Sequence, residues 1–243
     1  VAIVTGAAQG LGASIADALE AEGALVARTD VTGTDVRLDV RERSSIEDAV
    51  ELVSRTVGLP SVLINNAGLN RIGPSEELDE AVFLEVLDVN LTGALRCCQV
   101  AGRRMLTAGR GSIVNVASIY AELGAPGRAA YCASKAGLVG LTRVLAVEWA
   151  SRGVRVNAVE PGFVRTPMID NAIAQGLLAE QGVRDRTPLD RLAGPAEVAR
   201  TVAFLASQDA AYVTGQTVVV DGGYLAYGAP APASRIPDST YSP

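Results

Sequence analysis

The sequence predicts an α/β fold: a single domain with one doubly wound parallel sheet of about seven strands and helices on both faces. Three observations lead there. Short apolar runs of strand length alternate with longer stretches of helical period along most of the 243 residues. A glycine-rich turn, Thr5-Gly6-Ala7-Ala8-Gln9-Gly10-Leu11-Gly12, links the first run to the first helix. Apolar residues make up 49% of the chain, enough to bury a substantial core. Together these give a sheet of the Rossmann type.

Composition narrows the chemistry. The net charge of −6 comes without a long like-charge run, which argues against nucleic-acid binding through a basic surface. There is no histidine, so no histidine triad and no His-ligated metal site can form, and no metal is expected. The cysteines are Cys97, Cys98 and Cys132. An odd count with two adjacent members does not suggest a disulfide framework, so a reducing cytoplasm is expected. No charge-free apolar run of about 18 residues appears, so no membrane span is expected. The chain opens at Val1 inside an apparent strand, with no signal peptide before it and no initiator Met, so the natural start is expected to have been trimmed or left out.

The first strand is Val1 to Val4 and the first helix Ala13 to Glu22. Between them, Gly6 permits a tight turn, Gly10 lets the backbone approach a pyrophosphate, and Gly12 lets the helix pack closely on the strand. The anion would meet the helix N-terminus, where free N–H groups and the dipole favour it. A second strand, Ala24 to Thr29, ends at Asp30. A carboxylate there accepts hydrogen bonds from a ribose 2′-OH and repels a 2′-phosphate, which favours NAD over NADP. Arg28, two residues earlier, is the residue that would instead favour NADP. A third strand, Asp35 to Leu38, comes too soon for a crossover helix, so a loop or a tight return should join it to the second. Arg43 to Val57 reads as a helix capped by Ser44 or Ser45.

Ser61 to Ile64 is the fourth strand. Leu78 to Thr107 reads as one long helix broken near Asn90, with Cys97 and Cys98 as core fillers. Gly111 to Ser118 is the fifth strand, and Gly124 to Arg128 is a turn into a helix over 129–152. Val154 to Val159 is the sixth strand. Residues 165–191 are the least regular stretch, a candidate mobile lid, with Met168, Ile169, Leu177, Leu178 and Val183 as candidate pocket walls. Asn70, Arg71, Ile72 and the Ile119–Leu123 stretch, Glu122 included, are further candidates to face a substrate. Pro195 opens a helix, and Gln216 to Val220 is the seventh strand. Leu225 to Pro243, rich in Pro, Ala and Ser, is expected to be a tail.

Chemistry concentrates at Tyr131-Cys132-Ala133-Ser134-Lys135. Residues four apart share a helix face, so Tyr131 and Lys135 lie one above the other. A fixed ammonium favours the phenolate and lowers the phenol's pKa, while Ser118 could hold a substrate oxygen beside it. Such a set can move a proton to or from an alcohol or carbonyl oxygen.

The chain resembles the short-chain dehydrogenase/reductase family. The matching features are TGAAQGLG at 5–12, Asp39-Val40, NNAG at 65–68, Asn90 in VNLTG, Ser118 in NVAS, YCASK at 131–135, and Pro161-Gly162 with Thr166. They occur in the family's order from Val1 to about Tyr224, making 1–224 the catalytic domain, with the 165–191 lid inside it and 225–243 as the tail. The resemblance implies that Tyr131 is the acid/base. It implies that Lys135 lowers the Tyr131 pKa and holds the nicotinamide ribose, and that Ser118 positions the substrate oxygen. The backbone of Asn90 would hold a water in a proton relay. Cofactor contacts are implied for Gly6, Gln9, Gly10, Leu11, Gly12, Asp30, Asp39, Val40, Asn66, Ala67, Gly68, Pro161, Gly162, Val164 and Thr166, besides Tyr131 and Lys135.

The expected function is NAD-dependent hydride transfer between nicotinamide and a secondary alcohol or ketone. A polyol or sugar-type hydroxyl is favoured, because EWASRGVRVNAVEPG and the VDGGY ending resemble sugar-alcohol members. The alternatives are an NADP-dependent 3-oxoacyl-thioester reductase and, in another class, a catalytically silent nucleotide sensor. Outward apolar surface on the helices 78–107 and 129–152 resembles the family's subunit contact, so a homotetramer or homodimer is expected.

Overall fold

The computed structural model describes residues 1–228, so the expected tail from 229 onward lies outside the described residues. The strands are β1 (Ala2–Thr5), β2 (Val26–Asp30), β3 (Val36–Arg37), β4 (Val62–Asn65), β5 (Gly111–Val116), β6 (Val154–Pro161) and β7 (Thr217–Val220). They form one sheet in the order β3-β2-β1-β4-β5-β6-β7. Every neighbouring pair is parallel. The central strands β1, β4, β5 and β6 run largely buried on both faces, as a parallel sheet with helices on each side requires. Ala2 and Val4 face one layer and Ile3 the other. The β2–β3 connection carries no helix, and β3 is an edge fragment held by two pairings, Thr29 with Val36 and Asp30 with Arg37.

The helices are α1 (Gly10–Ala21), α2 (Arg43–Thr56), α3 (Glu80–Leu87), α4 (Ala94–Ala108), α5 (Ala129–Trp149), α6 (Pro167–Ala174), α7 (Glu180–Arg186) and α8 (Pro195–Ala206). Ile15 and Leu19 of α1 and Val198, Val202 and Leu205 of α8 build one apolar layer. Ile46, Val50 and Val53 of α2, Cys98 and Met105 of α4 and Leu145 and Trp149 of α5 build the other. The adjacent cysteines are core residues, and burial raises both thiols, that of Cys98 to about 12. Cys132 is only half-buried.

Several expectations need correction. Helix α1 begins at Gly10, a turn earlier than Ala13, because Ala13 N–H already bonds to Gln9 O at 3.3 Å. Neither serine caps α2: Glu42 stands at that position, and Ser45 Oγ instead accepts the Asp39 N–H at 3.0 Å. The long helix starts only at Glu80, where Asp79 Oδ1 accepts the Ala81 N–H. It then breaks as expected, at a π turn over Asp88–Gly93 that contains Asn90. The 165–191 segment holds two short helices rather than irregular chain. The stretch Ala129–Arg152 is long and apolar enough to cross a membrane, with a mean hydropathy of 1.2. Here it packs on the sheet, with Ser134, Lys135, Leu138 and Leu145 buried.

Candidate active site

In open α/β sheets a ligand crevice forms at the carboxyl ends of the strands, where the strand order reverses. The reversal here lies between β1 and β4. A cleft of about 600 Å³ opens at that place, lined by the turns after β1, β2, β4, β5 and β6 and by the start of α6.

One half of the cleft is the glycine cradle. Gly10 adopts φ +61°, a conformation that favours glycine, and a Cβ there would project to within 3.9 Å of Thr166. A Cβ on Gly12 would stand 2.2 Å from Gly6 O, so the close approach expected at this position is real. Asn66 braces the turn by donating from Nδ2 to Thr5 O and Gly6 O at 3.0 and 2.9 Å. Gln9 leaves the first turn of α1 without a side-chain cap. Gly6, Gln9, Leu11, Ala67, Gly68, Pro161, Gly162 and Val164 also line the cleft. Uncapped amides beside glycines fit a pyrophosphate, so a dinucleotide suits the residues present.

At the cradle's edge, Asp30 accepts the Ala8 N–H at 3.1 Å and the Val31 N–H at 2.8 Å. Arg28 turns away to α1, donating to Asp17 at 2.7 Å, to Glu20 at 2.8 Å and to Ala13 O. Asp39 lines the cleft with its carboxylate gripped by Arg41, whose hydrogen bonds hold it below the usual carboxylate range. Val40 lines the cleft too, and a Cβ on Gly93 would meet its side chain at 2.8 Å.

The other half gathers the proton-handling residues. Ser118 is buried just past β5, and its Oγ accepts the Tyr120 N–H at 3.2 Å. Tyr131 and Lys135 lie one turn apart on α5, the ammonium 5.6 Å from the ring centroid. Lys135 is buried and donates from Nζ to Val116 O at 2.7 Å, and burial lowers its pKa to about 8. Burial pushes the Tyr131 phenol above its ordinary value, while the Ser118 hydroxyl and the Arg128 cation pull the other way. Desolvation is the largest of these influences. Asn90 is buried and faces the chain after β4: it donates to Leu69 O at 2.9 Å and accepts the Leu69 N–H at 2.8 Å. It also donates to Ser134 Oγ at 3.0 Å, which in turn donates to Tyr131 O at 2.7 Å. The π turn is thereby tied to the backbone of Tyr131.

Aromatic rings form the remaining wall. Tyr120 stands edge-on to Tyr131 at 6.4 Å between centroids and to Phe163 at 6.2 Å, and Phe163 lies 5.5 Å from Tyr224. Met168, Ile169 and Asn70 line the cleft as expected. Leu177 is instead exposed, Val183 is buried, and Arg71 pairs with Glu85. The lining residues that were not anticipated include Phe163 and Arg128. Arg128 stands three residues before Tyr131, a spacing that shares one helix face, and that signal was available.

A family model described as enoyl-(acyl carrier protein) reductase matches residues 6–225. An uncharacterized short-chain type dehydrogenase/reductase of Sinorhizobium fredii is 40% identical over 99% of this chain, which spans 46% of that relative's length. D-threitol dehydrogenase of Mycolicibacterium smegmatis is 39% identical, with 92% of each chain covered. Among solved structures, a putative gluconate dehydrogenase from Agrobacterium tumefaciens superposes with a TM-score of 0.88 at 34% identity, covering 93% of this chain and 95% of its own.

Proposed function

The chain belongs to the short-chain dehydrogenase/reductase family, and on that premise we propose that it is an NAD-dependent dehydrogenase of secondary alcohols of the polyol or sugar type. That it is an oxidoreductase acting on alcohols and ketones follows from the family. The observation that carries the finer reading is the meeting of Ser118, Tyr131 and buried Lys135 with the glycine cradle along one cleft.

Bound in the cradle, a nicotinamide dinucleotide would supply or accept the hydride. The protein's own residues handle orientation and the proton. Tyr131 takes the hydroxyl proton when an alcohol is oxidised and returns it when a carbonyl is reduced. Ser118 keeps its hydroxyl proton to donate to the same oxygen, since its lone pair already accepts the Tyr120 N–H. The positive charge of Lys135, one turn away on α5, favours the phenolate. Asp30 supports NAD, because a 2′-phosphate beside its carboxylate would be repelled. The two acids on α1 that hold Arg28 weigh against its meeting a 2′-phosphate. A hydroxylated substrate is supported by Asn70, whose buried Oδ1 lacks a hydrogen-bond partner among the described residues. The D-threitol dehydrogenase likeness points the same way.

The test follows absorbance at 340 nm with NAD and NADP in parallel, across secondary alcohols, polyols, sugar acids and 3-hydroxyacyl thioesters. NAD-dependent turnover of a polyhydroxylated alcohol is expected. Turnover with NADP and thioesters alone would overturn the reading. Tyr131→Phe should lower kcat by roughly 10²- to 10⁴-fold, the usual share of a general acid/base, while NAD binding persists.

A further inference from the structure

We propose that the substrate of this site carries a carboxylate, or a comparable small anionic group, and that Arg128 binds it; the inference rests on the dehydrogenase reading above. Arg128 occupies the residue before the first turn of α5, three positions ahead of Tyr131, and lines the cleft half-buried. Its guanidinium lies over the Tyr120 ring, 5.4 Å from the centroid. That stacking holds a planar fork in place against an apolar wall, the arrangement that suits arginine to bidentate carboxylate recognition.

Of the two arginines that line the cleft, Arg128 is the one without an acid partner among the described residues. Arg28, Arg41, Arg71, Arg96, Arg165 and Arg191 each meet an acid within 3.3 Å. The other arginine of the cleft, Arg41, is neutralised by Asp39 on the cradle side. A half-buried guanidinium without a counter-ion, held still by a ring, is complementary to an anion that arrives with the ligand. Arg128 is also close enough to Tyr131 to bias the phenol toward its ionised form. One small molecule can therefore present its carbinol to Tyr131 and its acid group to Arg128, along the Tyr131–Tyr120 edge.

The test uses matched pairs that differ only in charge: gluconate with gluconamide, 3-hydroxybutyrate with 3-hydroxybutyramide, and cis-4-hydroxycyclohexanecarboxylate with its carboxamide. The acid of at least one pair should exceed its amide in kcat/KM by roughly 10- to 100-fold, the worth of a hydrogen bond to a charged group. In Arg128→Leu this preference should collapse toward one, mainly through KM, and Arg128→Lys should restore part of it. Equal use of acid and amide by the wild type, or a preference that survives Arg128→Leu, overturns the inference while leaving the dehydrogenase reading intact. Failure to oxidise these compounds alongside turnover of neutral polyols also overturns it. Failure of every compound in the wider panel with both nucleotides would strike the dehydrogenase reading itself. Thermal melting and NAD binding of each variant separate loss of recognition from loss of fold.

Discussion

Glu160, next to last in β6, has a buried carboxyl, and its Oε1 has no hydrogen-bond partner among the described residues. Burial, then the neighbouring acids Glu122 and Asp221, push its pKa up to about 7, with Arg143 pulling down. A carboxyl with a folded-state value above its unfolded one favours the fold while protonated. That contribution is complete below about pH 4.5 and is lost as pH rises through about 7. Glu160→Gln should therefore raise the melting temperature by several degrees at pH 8 and change it little at pH 4.5, measured by calorimetry. Equal effects at both values would refute the assignment. At this scale, motif spacing made Ser118, Tyr131, Lys135 and Asn90 legible, because each stands at a fixed offset from a strand or helix signal. The direction of the Tyr131 shift was not legible. It follows from how deeply the phenol is buried, which tertiary packing decides. Ser134 escaped for the same reason: its partners Asn90 and Tyr131 meet only in three dimensions.

The strand–turn–helix cradle was readable because each glycine answers a local need, a positive φ at Gly10 and a close approach at Gly12. Gly12→Ala puts a methyl 2.2 Å from a backbone oxygen that cannot swing aside. Overpacking of this kind should lower stability by about 1–3 kcal/mol, read from urea melts, and weaken nucleotide binding at least tenfold. Binding at wild-type strength would show that the cradle yields. Element boundaries were less legible than elements. Helix α1 starts inside what reads as a turn, since Gly10 closes the turn and begins the helix together. The helices of the 165–191 segment are only 8 and 7 residues long, too short for their period to stand out. The break at Asn90 was readable only from the motif, and its form, a π turn, is a register effect of packing against Val40 and Leu69.

At the scale of the whole molecule, the order of apolar runs made the doubly wound sheet legible, while the surface it leaves is a matter of assembly. Leu84 on α3 and Val144 and Val147 on α5 stay exposed, Val147 at 83%. A contiguous exposed apolar patch is the usual mark of an association surface, and these residues are the candidates for one here. Light scattering should give a dimer or tetramer at micromolar concentration, and Val147→Asp should move the mass downward; a wild-type monomer would refute it. The central strands bear on how the chain comes into being. Thr5 meets Ile64 across 59 residues of sequence, and Asn66 then closes on Gly6. Contacts so distant along the chain form late and slowly. During synthesis, the first helix leaves the ribosome long before the strand that completes its cradle. A nascent chain therefore displays the glycine turn without a wall behind it. A nucleotide site that needs Asn66 against Gly6 would be complete only once the fourth strand has emerged.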